Sequence, residues 1–135
     1  MALLANLQRA THVTGAWLDA SLQSEGLSHG EANLLAFLND HPHAAINDAH
    51  VHFGHRRSTL TSLLDRLEAR GLVRRVPHPS SRRSVSLELT DGGRILAGDV
   101  TELIEWLEDR VRQSVSTSDL ASFDRVIRAL EASTQ

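Results

Sequence analysis

Two sets of side chains in this sequence could do chemistry. The first is arginine with small hydroxyls. Between His55 and Arg83 stand eight arginines against only Asp65 and Glu68, a local balance of +6, while the rest of the chain carries six arginines and fifteen acids, a balance of −9. A phosphate backbone responds to the local patch more than to the overall charge of −3. Arg56 and Arg57 head a helix-period run, and Ser58, Thr61, Ser62 and Asp65 fall on the side opposite Leu60, Leu63, Leu64 and Leu67. Small hydroxyls let a helix approach base edges closely, and arginine makes bidentate contacts to bases and phosphates. Arg66 lies on the same run, and Arg82 and Arg83 follow twelve residues beyond Arg70. The bland alternative is a solvated, salt-bridged helix face. The second set is histidine, the commonest metal ligand and the side chain that titrates near neutrality. Five of the eight histidines lie between His41 and His55.

The elements that must position these residues follow from periodicity. Leu60, Leu63, Leu64 and Leu67 predict a helix from about Arg57 to Arg70, and His55 and Arg56 fall in the turn before it. Leu72–Val76 reads as a strand, Pro77–Arg83 as a proline-stiffened basic turn, and Val85–Leu89 as a second strand. Helix, short strand, basic turn and short strand make the pattern of a winged helix, in which a helix enters the major groove and a hairpin reaches beside it. Upstream, a helix from Ala2 to about Ser24 is expected, with Leu3, Leu7, Ala10, Trp17 and Leu18 on one face. Ser28 and Glu31 have capping-box spacing and open a helix that Pro42 stops. A short helix spans about Ala45 to Phe53, with Gly54 placed to end it in a left-handed conformation. Downstream, Thr90 caps a long helix from Asp91 to about Arg112, and a last helix covers about Ser118 to Ala132. Gly92, Gly93 and Gly98 each cost roughly 1 kcal/mol against alanine and suggest a soft start to the long helix. The expected class is mostly α with a small β-hairpin wing.

The run from Gly54 through Arg57-Ser58-Thr59, Asp65-Arg66-Leu67-Glu68-Ala69-Arg70-Gly71-Leu72-Val73, Arg82-Arg83, Leu89-Thr90 and Gly93 resembles the MarR family of bacterial regulators. The resemblance implies a single domain over 1–135, with a winged-helix lobe at about 28–90 and dimerisation helices at about 1–25 and 91–135. It implies a homodimeric, sequence-specific transcription regulator on double-stranded DNA, a repressor acting by covering a promoter. The expected DNA contacts are Arg56, Arg57, Ser58, Thr61, Ser62, Arg66, Arg82 and Arg83. Asp65 falls on the same face and has two readings: it holds an arginine, from the wing or from its own helix, in a fixed pose for DNA, or it is a plain surface carboxylate. Family wings often carry aspartates near the positions of His78, Ser80 and Ser81, and this chain lacks them. In the family, small aromatic acids bind between the dimerisation helices and the lobe. The lining candidates here are Trp17, Leu34, Phe37 and Leu96, each of which also suits plain core.

Other classes are less well supported. The absence of cysteine removes disulfides and thiol redox sensing. No run of about 18 apolar residues exists, and the N-terminus lacks the order of a signal peptide, so no membrane role and a cytoplasmic location are expected. The string His50-Val51-His52-Phe53-Gly54-His55 is similar to the HxH strings of metal-dependent hydrolases. On a helix, however, His50 and His52 point about 200° apart and cannot share a metal. A zinc-responsive regulator of the same fold would draw weak candidates from His12, His29 and His41. No cofactor and no enzymatic activity are expected. A winged helix used only for protein contacts would differ from a DNA reader in lacking a steep salt dependence.

Overall fold

The computed structural model describes residues 2–78 and 80–135, and the side chains of residues 81–83 lie outside the description. In chain order the elements are α1 (Leu3–Ser21), a 3₁₀ turn (Gln23–Glu25), α2 (His29–Asp40), α3 (Ile46–Phe53), α4 (Arg57–Ala69), β1 (Val73–His78), β2 (Ser81–Leu89), α5 (Asp91–Ser114) and α6 (Thr117–Ala132). The chain divides into two compact units, Met1–Thr101 and Glu102–Gln135.

In the first unit, α2 and α4 supply most of the core. Leu34, Leu35 and Leu38 of α2 and Leu64 and Leu67 of α4 are almost completely buried, as are Val73 of β1 and Leu87 of β2. Truncating one such leucine to alanine costs roughly 2–5 kcal/mol, so this layer is what holds α4 against α2 and the hairpin. Helix α2 opens as its capping box requires: the Ser28 hydroxyl accepts from the Glu31 N–H at 3.2 Å, and Glu31 Oε1 accepts from the Ser28 N–H at 3.3 Å. Helix α4 ends at Gly71, which is left-handed at φ 69°, with the Leu72 N–H donating to Leu67 O at 2.9 Å. That i→i−5 bond stops the helix and turns the chain into β1.

The hairpin is longer than the sequence suggests. β1 continues through Pro77 to His78 and β2 starts at Ser81, so the segment expected as a turn is largely strand. Pro77 is tolerated because β1 is an edge strand and its outward side needs no N–H donor; the register shifts directly after it. On its other side β2 meets the α2–α3 connection, where the Leu87 N–H donates to Ala44 O at 2.8 Å and Ala45 bridges Ser86.

The first turns of α5 belong to the same unit, because Gly93, Ala97 and Val100 are buried. Thr90 stitches the joint: its hydroxyl donates to Gly71 O at 2.6 Å and accepts from the Gly93 N–H at 3.0 Å. A Cβ on Gly93 would stand 1.9 Å from Leu72 O. This glycine permits close approach of α5 to the hairpin base, and the soft start that glycine content suggests is instead a close-packed joint. In the second unit, α6 opens with a capping box of Ser116 and Asp119. The Ser116 N–H, accepted at 2.9 Å, and then its hydroxyl hold the Asp119 carboxyl below the usual carboxylate range. No helix among the described residues is long and apolar enough to cross a membrane.

Candidate nucleic-acid interface

Gly54 ends α3 at φ 65°, and the chain turns through His55 into α4. Arg56 holds the N-cap position in an extended conformation, and no side chain caps the first turn. The first amides of α4 are therefore available to an anion, aligned with the positive end of the helix dipole. From that end Arg57, Ser58, Thr61, Ser62, Asp65 and Arg66 are exposed, while Leu60, Leu63, Leu64 and Leu67 are buried. The division between the two faces is the one that 100° steps predict.

The arginines of the basic stretch are not equivalent. Arg75 of β1 donates to Asp65 Oδ1 at 2.6 Å and lies 3.4 Å from Glu68 Oε2, so two α4 carboxylates hold one guanidinium at the base of the hairpin. Arg70 donates to Glu25 O at 2.6 Å and Gly26 O at 3.0 Å, tying the end of α4 to the turn after α1. Arg66 lies 3.8 Å from the buried Glu31, so its guanidinium is placed toward α2. Arg56, Arg57 and Arg74 are exposed and carry no ion pair among the described residues. Arg82 and Arg83 have their backbone in β2 beside the hairpin tip, and their side chains fall outside the described residues. At the tip, His78 Nδ1 accepts from the Ser80 N–H at 3.2 Å and its hydroxyl at 2.9 Å, so a histidine orders a bend where aspartates are absent.

A cleft of about 300 Å³ runs between α3 and α4, lined by Ile46, Asn47, His50, Arg57, Leu60 and Thr61. Asn47 and His50 thus share a concave surface with Arg57 and Thr61, and neither stands out in the sequence as a contact residue. Their three-residue spacing, one turn of a single face, is the only sign of it. Arg75 is also missed as a site residue. It counts toward the charge of the stretch, but only the hairpin register shows which side of β1 it occupies.

Three of the histidines, His41, His52 and His55, pack against phenylalanine rings. Phe37 stacks with His41 at 4.5 Å and meets His52 at 4.6 Å, and Phe53 stacks with His55 at 5.3 Å. His43, left-handed at φ 62°, places Nδ1 3.4 Å from Glu88 Oε1. His29 opens α2 with its backbone N–H on Asp19 Oδ1 at 2.6 Å and Nδ1 at 3.1 Å from the same oxygen. Those contacts, the backbone one first, hold the Asp19 carboxyl below the usual range. His29 and His41 stand at opposite ends of α2, about 18 Å apart at 1.5 Å per residue, and His12 is exposed on α1. These three do not converge. Among the described residues no group of three His, Cys, Asp or Glu is placed to hold a metal ion.

The four lining candidates differ in burial. Leu34 and Phe37 are buried, and Trp17 and Leu96 are half-buried. Phe37 does border an open groove of about 580 Å³, with His41, Pro42, His43, Ala44, Asp48, Val51 and His52 as its other walls. None of the other three candidates lines it.

Residues 25–84 match the model of the MarR family. The HTH-type transcriptional regulator PecS of Dickeya dadantii (strain 3937) is 35% identical over 109 residues, which cover 76% of this chain and 63% of PecS. The multiple antibiotic resistance protein MarR of Escherichia coli (strain K12) is 29% identical over 70 residues, covering 51% of this chain and 49% of MarR. This chain therefore spans less than two thirds of the length of either relative. The crystal structure of the S. aureus MepR–DNA complex is similar in fold, with a TM-score of 0.86 at 18% identity over 100% of this chain and 99% of that one.

Proposed function

Residues 25–84 of this chain belong to the MarR family, and on that premise we propose that it is a sequence-specific DNA-binding transcription regulator working as a homodimer. Helix α4 enters the major groove with Arg56, Arg57, Ser58, Thr61 and Ser62 toward phosphates and base edges, and Arg66 at the margin of the contact. The hairpin carries Arg82 and Arg83 to the adjacent minor groove, whose narrow stretches attract arginine. Asp65 acts through Arg75, bracing the hairpin base against α4. Two copies set their α4 helices into successive major grooves and repress by covering a promoter.

One observation carries this reading. The exposed face of α4 holds an arginine without an ion pair among the described residues, and three small hydroxyls, at its N-terminal end, the end where recognition helices touch bases. The relatives add to it: PecS is named as a transcriptional regulator, and MepR was crystallised with DNA. Dimerisation draws support from exposed apolar side chains on α5 and α6. Trp106 and Val111 of α5 and Leu120, Phe123 and Val126 of α6 are all exposed in the single chain.

The test is selection of bound duplexes from a random DNA pool at about physiological salt, where non-specific binding is weak. An enriched inverted repeat with half-sites about 10 base pairs apart is expected. A folded dimer that enriches nothing would count against the reading.

A further inference from the structure

Two half-buried histidines flank the turn between α3 and α4. His50 lies in the last turn of α3, and His55 follows the left-handed Gly54 that ends it. In both rings Nδ1 is enclosed by protein and has no hydrogen-bond partner among the described residues. A neutral imidazole carries one N–H, and an imidazolium carries two. Charging either ring therefore puts an N–H donor on an enclosed atom with nothing to accept it, which leaves the desolvation cost uncompensated.

The surroundings do not relieve that cost. From α4, Arg57 lines the cleft with His50, and Arg56 is the next residue after His55. On α3, the Asp48 carboxylate is occupied at the far end, accepting from the Ala45 N–H at 3.0 Å, and the His52 ring lies against Phe37 of α2. No carboxylate among the described residues is paired with His50 or His55. The Phe53 ring stacked on His55 and the C-terminal end of the α3 dipole both favour a cation, but neither can accept the enclosed N–H. Burial first, and then the neighbouring His50, hold the His55 ring below the ordinary histidine value.

We propose that His55, enclosed beside His50, forms an acid-sensitive latch, which keeps the α3–α4 turn and the start of α4 in place only while the His55 ring is neutral. In the unfolded chain a histidine titrates near pH 6.5, and in the folded turn His55 titrates lower. Between those values the open state binds more protons. The contribution to stability is complete above about pH 6.5 and falls away as pH drops through it toward the folded value. The consequence for DNA rests on the function proposed above. It runs opposite to simple charging, in which extra imidazolium would tighten phosphate binding.

Ring titration of His55 in the full-length protein by NMR tests the latch without DNA. A midpoint below 6.5 is expected, moving upward in His50→Leu. A midpoint at or above 6.5, or no movement in His50→Leu, overturns the proposal. DNA affinity is then compared at about pH 7.5 and about pH 5.5 at constant ionic strength. The wild type is expected to bind several-fold more weakly in acid, and His55→Leu to weaken by less than half of that factor. Equal loss in the two proteins, or tighter wild-type binding in acid, overturns the link to α4. If His55→Leu does not fold, His50→Leu takes its place. A protein that binds no duplex at any pH sinks the DNA-binding reading instead, and the ring titration still decides the latch.

Discussion

At the scale of single residues, the arginines divide by what their neighbours leave free. Arg70 and Arg75 are committed to the protein itself, while Arg57 carries no ion pair among the described residues. Arg57→Ala is therefore expected to weaken specific DNA binding by roughly 1–3 kcal/mol if it reads a base, or to lower the salt slope by about 1 if it meets a phosphate. Titrations of one operator at several salt concentrations separate the two. Asp65 is a subtler case. An exposed ion pair contributes only about 0–1 kcal/mol to stability, so Asp65→Ala should barely change the melting temperature. It should nevertheless weaken DNA binding, because Arg75 would no longer be held between Asp65 and Glu68. Unchanged or tighter binding by Asp65→Ala would refute a bracing role. The sequence leaves open whether Asp65 holds an arginine or is a plain surface carboxylate. Which of eight arginines it meets depends on the strand register, which places Arg75 opposite Leu87.

At the scale of elements, the joint between β2 and α5 shows why one glycine differs from its neighbour. Gly93→Ala would drive a methyl into Leu72 O and is expected to destabilise the protein by roughly 1–3 kcal/mol. Gly92 meets nothing nearer than Thr90 Oγ1 at 4.0 Å, so Gly92→Ala should instead stabilise by up to about 1 kcal/mol. Urea unfolding of the two variants compares them directly; a more stable Gly93→Ala would contradict the close approach. Helical periodicity treats both residues as the same weak helix former, because it contains no information about what crosses behind a helix. The hairpin teaches the same point. Proline-rich Pro77–Arg83 reads as a turn from local chemistry, yet pairing with β2 extends β1 through Pro77, since an edge strand tolerates a missing donor.

At the scale of the whole molecule, the first unit has a packed core, and helices of both units leave large apolar side chains exposed. Leu3, Leu4 and Val13 of α1 and Phe123 and Val126 of α6 are exposed in one chain. Sedimentation is expected to give twice the 14.8 kDa of the chain, and Phe123→Glu to shift it toward monomer with loss of operator binding. A monomer that still selects an inverted repeat would rule out the dimeric mode. The charge asymmetry operates at this scale too. A DNA affinity falling steeply with salt is expected despite the net charge of −3, because released counterions report local phosphate contacts.

The sequence by itself determined the element order, the buried face of α4, the caps at Ser28, Gly54 and Thr90, and the placement of charge. Each of these is a local matter of period, cap chemistry or composition along a few turns. Tertiary structure alone decided which charges remain available, why Gly93 is a glycine, and that His52 of α3 meets the Phe37 ring of α2. Those properties depend on which segments approach one another: Arg75 and Asp65 are 10 residues apart in the chain, and Arg70 and Gly26 are 44 apart. The packing of α2, α3, α4 and the hairpin sets that approach, and no local pattern encodes it.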